Sequence, residues 1–175
     1  MFKAHVNSLV LQTIDKKLLT KPDQFLDFSN PNELPMFQDY FDGLTDSIKR
    51  NKDKIIKNIA DAYTNEINAS NGSITMSMIE EQVDQFTYYF DRSFNKLRGD
   101  YRESVAEIKE IDKKIRDEGN KDYSLSSRRK ALEERNNNLK SGSADFYVYR
   151  YLSQEGFLPN YAFPLKNSSA RLLYK

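Results

Sequence analysis

One apolar stripe constrains this chain more than any other feature. Ile79, Val83, Phe86, Phe90, Phe94, Leu97, Tyr101, Val105, Ile108, Ile111 and Ile115 follow one another at steps of three or four residues. Ten steps cover 36 positions, a mean of 3.6, which is the repeat of an α-helix and not the two-residue repeat of a strand. Ser77 with Glu80 has the pattern of a capping box at its start. Gly119-Asn120 is a natural stop. An unbroken helix from Met78 to Glu118 would run for roughly 60 Å at ~1.5 Å per residue. Gly99 is its weak point, because glycine inside a helix costs about 1 kcal/mol relative to alanine.

A helix this long needs something to cover its apolar side. The polar segment Ser124 to Lys140 carries a thin stripe of Leu125, Ala131 or Leu132, and Leu139. It is expected to return antiparallel through a turn at Gly119 to Tyr123. Upstream, Val6, Leu9, Val10, Ile14 and Leu18 predict a first helix from Met1 to about Leu19, closed by Lys21-Pro22-Asp23. Phe25 to Phe28 is a brief apolar patch, and Ser29-Asn30-Pro31-Asn32 has turn composition. A second helix is expected to open near Pro35, with Phe37, Tyr40, Phe41, Leu44 and Ile48 on its inner side. A third carries Ile55, Ile56, Ile59, Ala60, Tyr63 and Ile67, and breaks at Ala69 to Ser73.

Near the C-terminus the composition changes. Tyr and Phe crowd between Phe146 and Tyr161, predicting a short helix from about Ala144 to Gln154, Gly156 as its cap and an extended tail. The expected fold class is therefore all-α: a long helical hairpin packed with a small bundle of N-terminal helices, and a short aromatic C-terminal helix. The expected divisions are residues 1–72 for the N-terminal helical bundle, 73–142 for the hairpin, and 143–175 for an aromatic docking segment and tail.

Composition excludes several functions. The 27 basic residues are balanced by 26 acidic ones, so no global basic field draws the chain onto nucleic acid. There is no cysteine and one histidine. That removes disulfides, thiolate metal sites and cysteine nucleophiles, and leaves no multi-histidine metal site within the chain. No phosphate-binding glycine loop occurs. No cofactor and no metal are expected, and the chain reads as non-enzymatic. Phe2 to Leu11 is too polar for a signal peptide, and no run approaches ~18 apolar residues. A cytoplasmic protein without a membrane contact is the expectation.

Several clusters could still carry a function. Glu80-Glu81 and Glu133-Glu134 are adjacent carboxylates, which point in different directions on a helix and so read as solvated faces. His5 reads as a packing or hydrogen-bonding residue. Phe86, Tyr89, Phe90 and Phe94 could form a stacking platform, but their spacing is that of a buried stripe. Of the neighbours Tyr88 and Tyr89, one must stay at the edge with its hydroxyl in water. Basic residues gather at Lys49 to Lys54, at Lys113, Lys114 and Arg116, and at Arg128-Arg129-Lys130. Carboxylates beside each point to surface ion pairing more than to phosphate contact. Tyr147, Tyr149, Arg150 and Tyr151 are stronger candidates. Aromatics beside arginine stack bases and grip phosphates, or anchor a helix into a neighbouring domain. The apolar Phe157-Leu158-Pro159 alongside favours domain packing, with Phe157, Leu158, Tyr161 and Phe163 completing the expected contact set.

The stretch Asp145-Phe-Tyr-Val-Tyr-Arg-Tyr-Leu-Ser-Gln-Glu-Gly-Phe-Leu-Pro-Asn-Tyr-Ala-Phe-Pro164 resembles a signature of large bacterial DEAD/DEAH-type superfamily 2 helicases. These have a long C-terminal region of unknown function and include helicases of DISARM-type phage-defence systems. The family pattern runs approximately D-F-Y-x-Y-R-Y-L-A-x-E-G-F-L-P-G-Y-x-F-P, with Ser153 here in place of alanine and Asn160 in place of glycine. Phe90-Asp-Arg-Ser-Phe94, Leu97-Arg98 and Tyr101-Arg102 are similar to the family's F-D-x-x-F-x-x-W-R-x-L-Y-R helix, with leucine where tryptophan is usual. Lys3 to Leu9 resembles the short H-x-x-A/S segment after the second RecA-like motor domain. The resemblance implies a middle or C-terminal accessory region whose motor domains lie elsewhere, in cis or encoded by a split gene. It implies packing on those motor domains, with DNA as a further candidate contact. Residues for ATP hydrolysis have no counterpart here. The rival reading is a free-standing helical-hairpin adaptor or a scaffold dimerising through the long stripe.

Overall fold

The computed structural model describes residues 1–16, 18–69, 71–119, 123–142 and 147–160. The described residues are all-α: helices joined by turns, with one isolated antiparallel bridge between Leu26 and Met36 and no strand. In chain order the helices are α1 (Phe2–Thr13), α2 (Gln38–Arg50), α3 (Lys52–Ala62), α4 (Thr64–Asn68), α5 (Met76–Asp84), α6 (Phe86–Arg92), α7 (Asn95–Glu118), α8 (Ser124–Ser141) and α9 (Val148–Gln154), with a 3-10 turn at Pro22–Gln24. The chain forms two compact units, each discontinuous in sequence. One holds Met1–Leu18, Gln38–Ser93 and the chain from Tyr149; the other holds Leu19–Phe37 and Phe94–Val148. The boundaries between units therefore fall at other places than residues 72 and 142.

The long stripe is helical almost throughout, but it is not one helix. It is divided among α5, α6 and α7, with interruptions at Gln85 and at Ser93-Phe94. The expected weak point, Gly99, lies inside an intact α7. At Ser93 the hydroxyl donates to the Phe90 carbonyl at 2.6 Å, a local bond that competes with the regular helical ladder. The start of α5 also differs from the capping box expected at Ser77. Thr75 is the N-cap, and its hydroxyl accepts from the Met78 amide at 3.1 Å.

In the first unit α1, α3 and α5 pack on one another, and α2 packs on α3 and α6. Val6, Val10, Leu44, Ile55, Ile59, Ile79, Val83, Phe86 and Phe90 are all buried. Helix α1 stops at Thr13, short of the expected Leu19, because Ile14 turns extended. Asp15 then accepts from the hydroxyl of Ser47 and from Arg50 on α2. These two bonds, the serine's first, hold its carboxyl below the usual range.

In the second unit α7 and α8 pack antiparallel: Ser104 meets Asn136 towards one end and Asp112 meets Arg129 towards the other. The loop from Leu19 to Phe37 is built on backbone bonds that replace the first turn of the helix expected at Pro35. Asp27 donates to the Pro35 carbonyl at 2.8 Å, and Phe37 donates to the Phe25 carbonyl at 2.9 Å. Helix α2 accordingly begins three residues later, at Gln38. Phe25 and Leu26 are fully buried, with the Phe25 ring 5.1 Å from that of Phe94. Arg98 and Arg102 of α7 donate to the loop carbonyls of Leu34 and Asn32, at 2.9 and 2.8 Å. Arg102 thus ties the loop to α7 at the surface and Arg98 does so nearer the interior, while Tyr101 is buried. Tyr101 packs edge-on against Phe28 at 5.0 Å.

Candidate interaction surface

The aromatic segment is first of all a fastener. After Gln154 the chain leaves α9 and turns through Gly156, whose φ of +80° favours glycine. The amides of Phe157 and Leu158 both donate to the Leu152 carbonyl, at 2.9 and 3.2 Å. This tight turn drives the Phe157 ring against Phe86 and Phe90 of α6, with centroids 5.2 and 5.6 Å away and edge-to-face geometry. The same residue's carbonyl accepts from Asn7 of α1 at 2.9 Å. Asn7 in turn accepts from Gln82 of α5 at 3.1 Å. Asn7 is 3% and Gln82 5% exposed, so the pair satisfies three polar groups that water does not reach. The Tyr151 hydroxyl donates to the Ser93 carbonyl at 2.9 Å, and the Ser153 hydroxyl donates to the Pro159 carbonyl at 3.3 Å.

The expected contact residues therefore divide. Phe157 and Leu158 are buried and lie inside their own chain, because the Gly156 turn folds them back where an extended tail was expected. Tyr149, Arg150 and Tyr151 are half-buried, and burial pushes the Tyr149 phenol above its usual range. Tyr147 is exposed. Tyr161 and Phe163 lie outside the described residues.

Most of the basic clusters are occupied by carboxylates. Arg50 pairs with Asp15, Lys52 with Asp84, Arg116 with Asp117, and Arg128 with Glu107; Arg129 reaches both Asp112 and Glu133. Among the described residues no group of three or more His, Cys, Asp and Glu is arranged to hold a metal ion. No helix among them is long and apolar enough to cross a membrane.

Sequence reasoning missed one cluster. Both Tyr88 and Tyr89 are exposed, whereas Phe86 and Phe90 on the same helix are fully buried. Arg92 lies over the Tyr88 ring, 5.3 Å from its centroid, and donates to the Tyr88 hydroxyl at 3.1 Å. Lys3 of α1 lies over the Tyr89 ring at 5.7 Å. The spacing held the signal: once positions 83, 86 and 90 point inward, 88, 89 and 92 fall on the other side of the helix.

No family model, no curated protein and no solved structure matches this chain.

Proposed function

We propose that this chain is a non-catalytic helical accessory fragment of a DNA helicase, packing on motor domains carried elsewhere and acting in the cytoplasm. The observation that supports it most is the division of labour in the aromatic segment, which carries the helicase-like residue pattern. Phe157 locks the segment onto α1 and α6, with Leu158 buried beside it. Tyr149 and Arg150 remain partly accessible on a helix fastened at Tyr151 and by the turn that follows it. Pre-ordered aromatic and arginine side chains make favourable binding anchors, because little side-chain freedom is lost on contact.

The rival reading, a scaffold dimerising through the long stripe, is disfavoured by burial. Ile79, Val83, Phe86, Phe90, Phe94, Leu97, Tyr101 and Ile111 are already covered within one chain, and a dimer needs that surface free. A helical adaptor working through α9 remains the second form of the proposal.

Calorimetric titration with a two-domain helicase motor fragment tests the reading. Binding should be measurable, and Tyr149→Ala with Arg150→Ala should weaken it by about tenfold or more, the scale of a lost hot spot. Equal affinity for the wild-type and doubly substituted chains would remove the docking role. Nucleotide hydrolysis by the purified chain alone would remove the non-catalytic one.

A further inference from the structure

We infer that Tyr88, Tyr89, Arg92 and Lys3 form a binding site for single-stranded nucleic acid. The inference extends the accessory-fragment reading, from which it takes its setting, but the site stands on the geometry of α1 and α6. Two consecutive tyrosines are left 47% and 37% exposed in a unit that buries Phe86 and Phe90 completely. Their rings meet edge to face at 5.5 Å and 66°, forming an angled notch and not a flat patch. Each ring carries its own cation, the Arg92 guanidinium at 5.3 Å and the Lys3 ammonium at 5.7 Å. Neither cation forms an ion pair with a described residue, unlike Arg128 and Arg129 of α8, which are held by Glu107 and Asp112.

This chemistry selects the occupant. An aliphatic partner would gain little from two unpaired charges, which it would have to desolvate. A nucleotide offers both a π face for a tyrosine ring and a phosphate for the neighbouring cation, and single strands present both together. A duplex keeps its base faces stacked internally and can use only the cations. Each cation covers one face of its ring, so a base would stack on the other face or displace the cation to the ring's edge, where it meets the phosphate.

Fluorescence anisotropy with labelled oligo(dT), oligo(rU) and a DNA duplex of equal length tests the site on the whole chain. Both single strands should bind more tightly than the duplex, and the difference between the dT and rU arms reports the combined preference for sugar and base methyl. Tyr88→Ala with Tyr89→Ala should weaken single-strand binding by about tenfold or more, given the scale of base–aromatic stacking. Tyr88→Phe with Tyr89→Phe should retain most of it, because stacking needs the ring and not the hydroxyl. Arg92→Ala and Lys3→Ala should each reduce the salt slope by about 0.7. All four positions are exposed, so unchanged circular dichroism is expected and keeps the comparison valid. No single-strand binding by the wild-type chain, equal binding of the duplex, or no effect of the double alanine change would each overturn the site. Lost oligonucleotide binding with intact motor docking would sink this site alone. Lost motor docking with intact oligonucleotide binding would sink the accessory reading alone.

Discussion

At the level of single residues, Asn7 shows how much can rest on one amide. Its two ends connect Gln82 of α5 to the carbonyl of Phe157, and all three residues are buried. Asn7→Ala leaves two buried groups unpaired and should cost about 1–3 kcal/mol in urea denaturation. Phe157→Ala keeps the carbonyl that Asn7 reaches but should cost more, about 3–5 kcal/mol, because it empties the space against Phe86 and Phe90. Glycines make a sharper comparison. Gly142 ends α8 at φ +62°, and a Cβ there would lie 2.6 Å from the Thr20 carbonyl oxygen. Gly142→Ala should therefore destabilise the second unit by more than about 1 kcal/mol. Gly99 has helical backbone and open space, with only the end of Arg102 at 3.9 Å. Gly99→Ala should stabilise by about 0.5–1 kcal/mol, and thermal melts of the two variants should move in opposite directions. Gly142 is legible in the sequence as a linker or cap, but neither its approach to Thr20 nor the bonds of Asn7 to Gln82 and Phe157 can be read from neighbouring residues.

At the level of elements, the α7–α8 pair is held by charge on its edges and a polar contact within. Ser104 donates to the buried Asn136 at 3.0 Å. Glu107 and Asp112 take bidentate bonds from Arg128 and Arg129, which hold both carboxyls below their usual range. A carboxyl lowered on folding stabilises the folded state above its unfolded pKa, and that contribution disappears as pH falls through the folded value. The pair should thus lose stability below about pH 4, the ordinary carboxylate range. Arg128→Gln with Arg129→Gln should flatten that acid limb in melting curves taken between neutral and acid pH, by lowering the melting temperature at neutral pH while leaving the acid end little changed. An acid limb of unchanged depth in this variant would show that other carboxyls carry it. These pairs were half legible beforehand: mixed charge at helical spacing indicated ion pairing, but pairing between two helices requires knowing which faces meet.

For the whole molecule, the destination of the long stripe is the decisive matter. Most of it is buried within one chain, so light scattering at tens of micromolar should give a monomer; a tight homodimer would revive the scaffold reading. Periodicity was enough to establish an all-α chain, because a repeat of 3.6 satisfies a helix and no strand. The same pattern could not reveal the interruptions at Gln85 and Ser93, where a serine hydroxyl competes for a backbone carbonyl without disturbing the apolar spacing. Composition likewise marked Tyr149, Arg150 and Phe157 as unusual, but gave them one shared role. Only the tertiary structure separated them, since a single left-handed glycine sends Phe157 inward and leaves Tyr149 and Arg150 nearer the surface. It was also the fold that brought Lys3 over Tyr89. Local sequence sets the period of each helix, through the geometry of its backbone, whereas contacts between distant segments depend on how whole faces pack, and no short window of sequence encodes that.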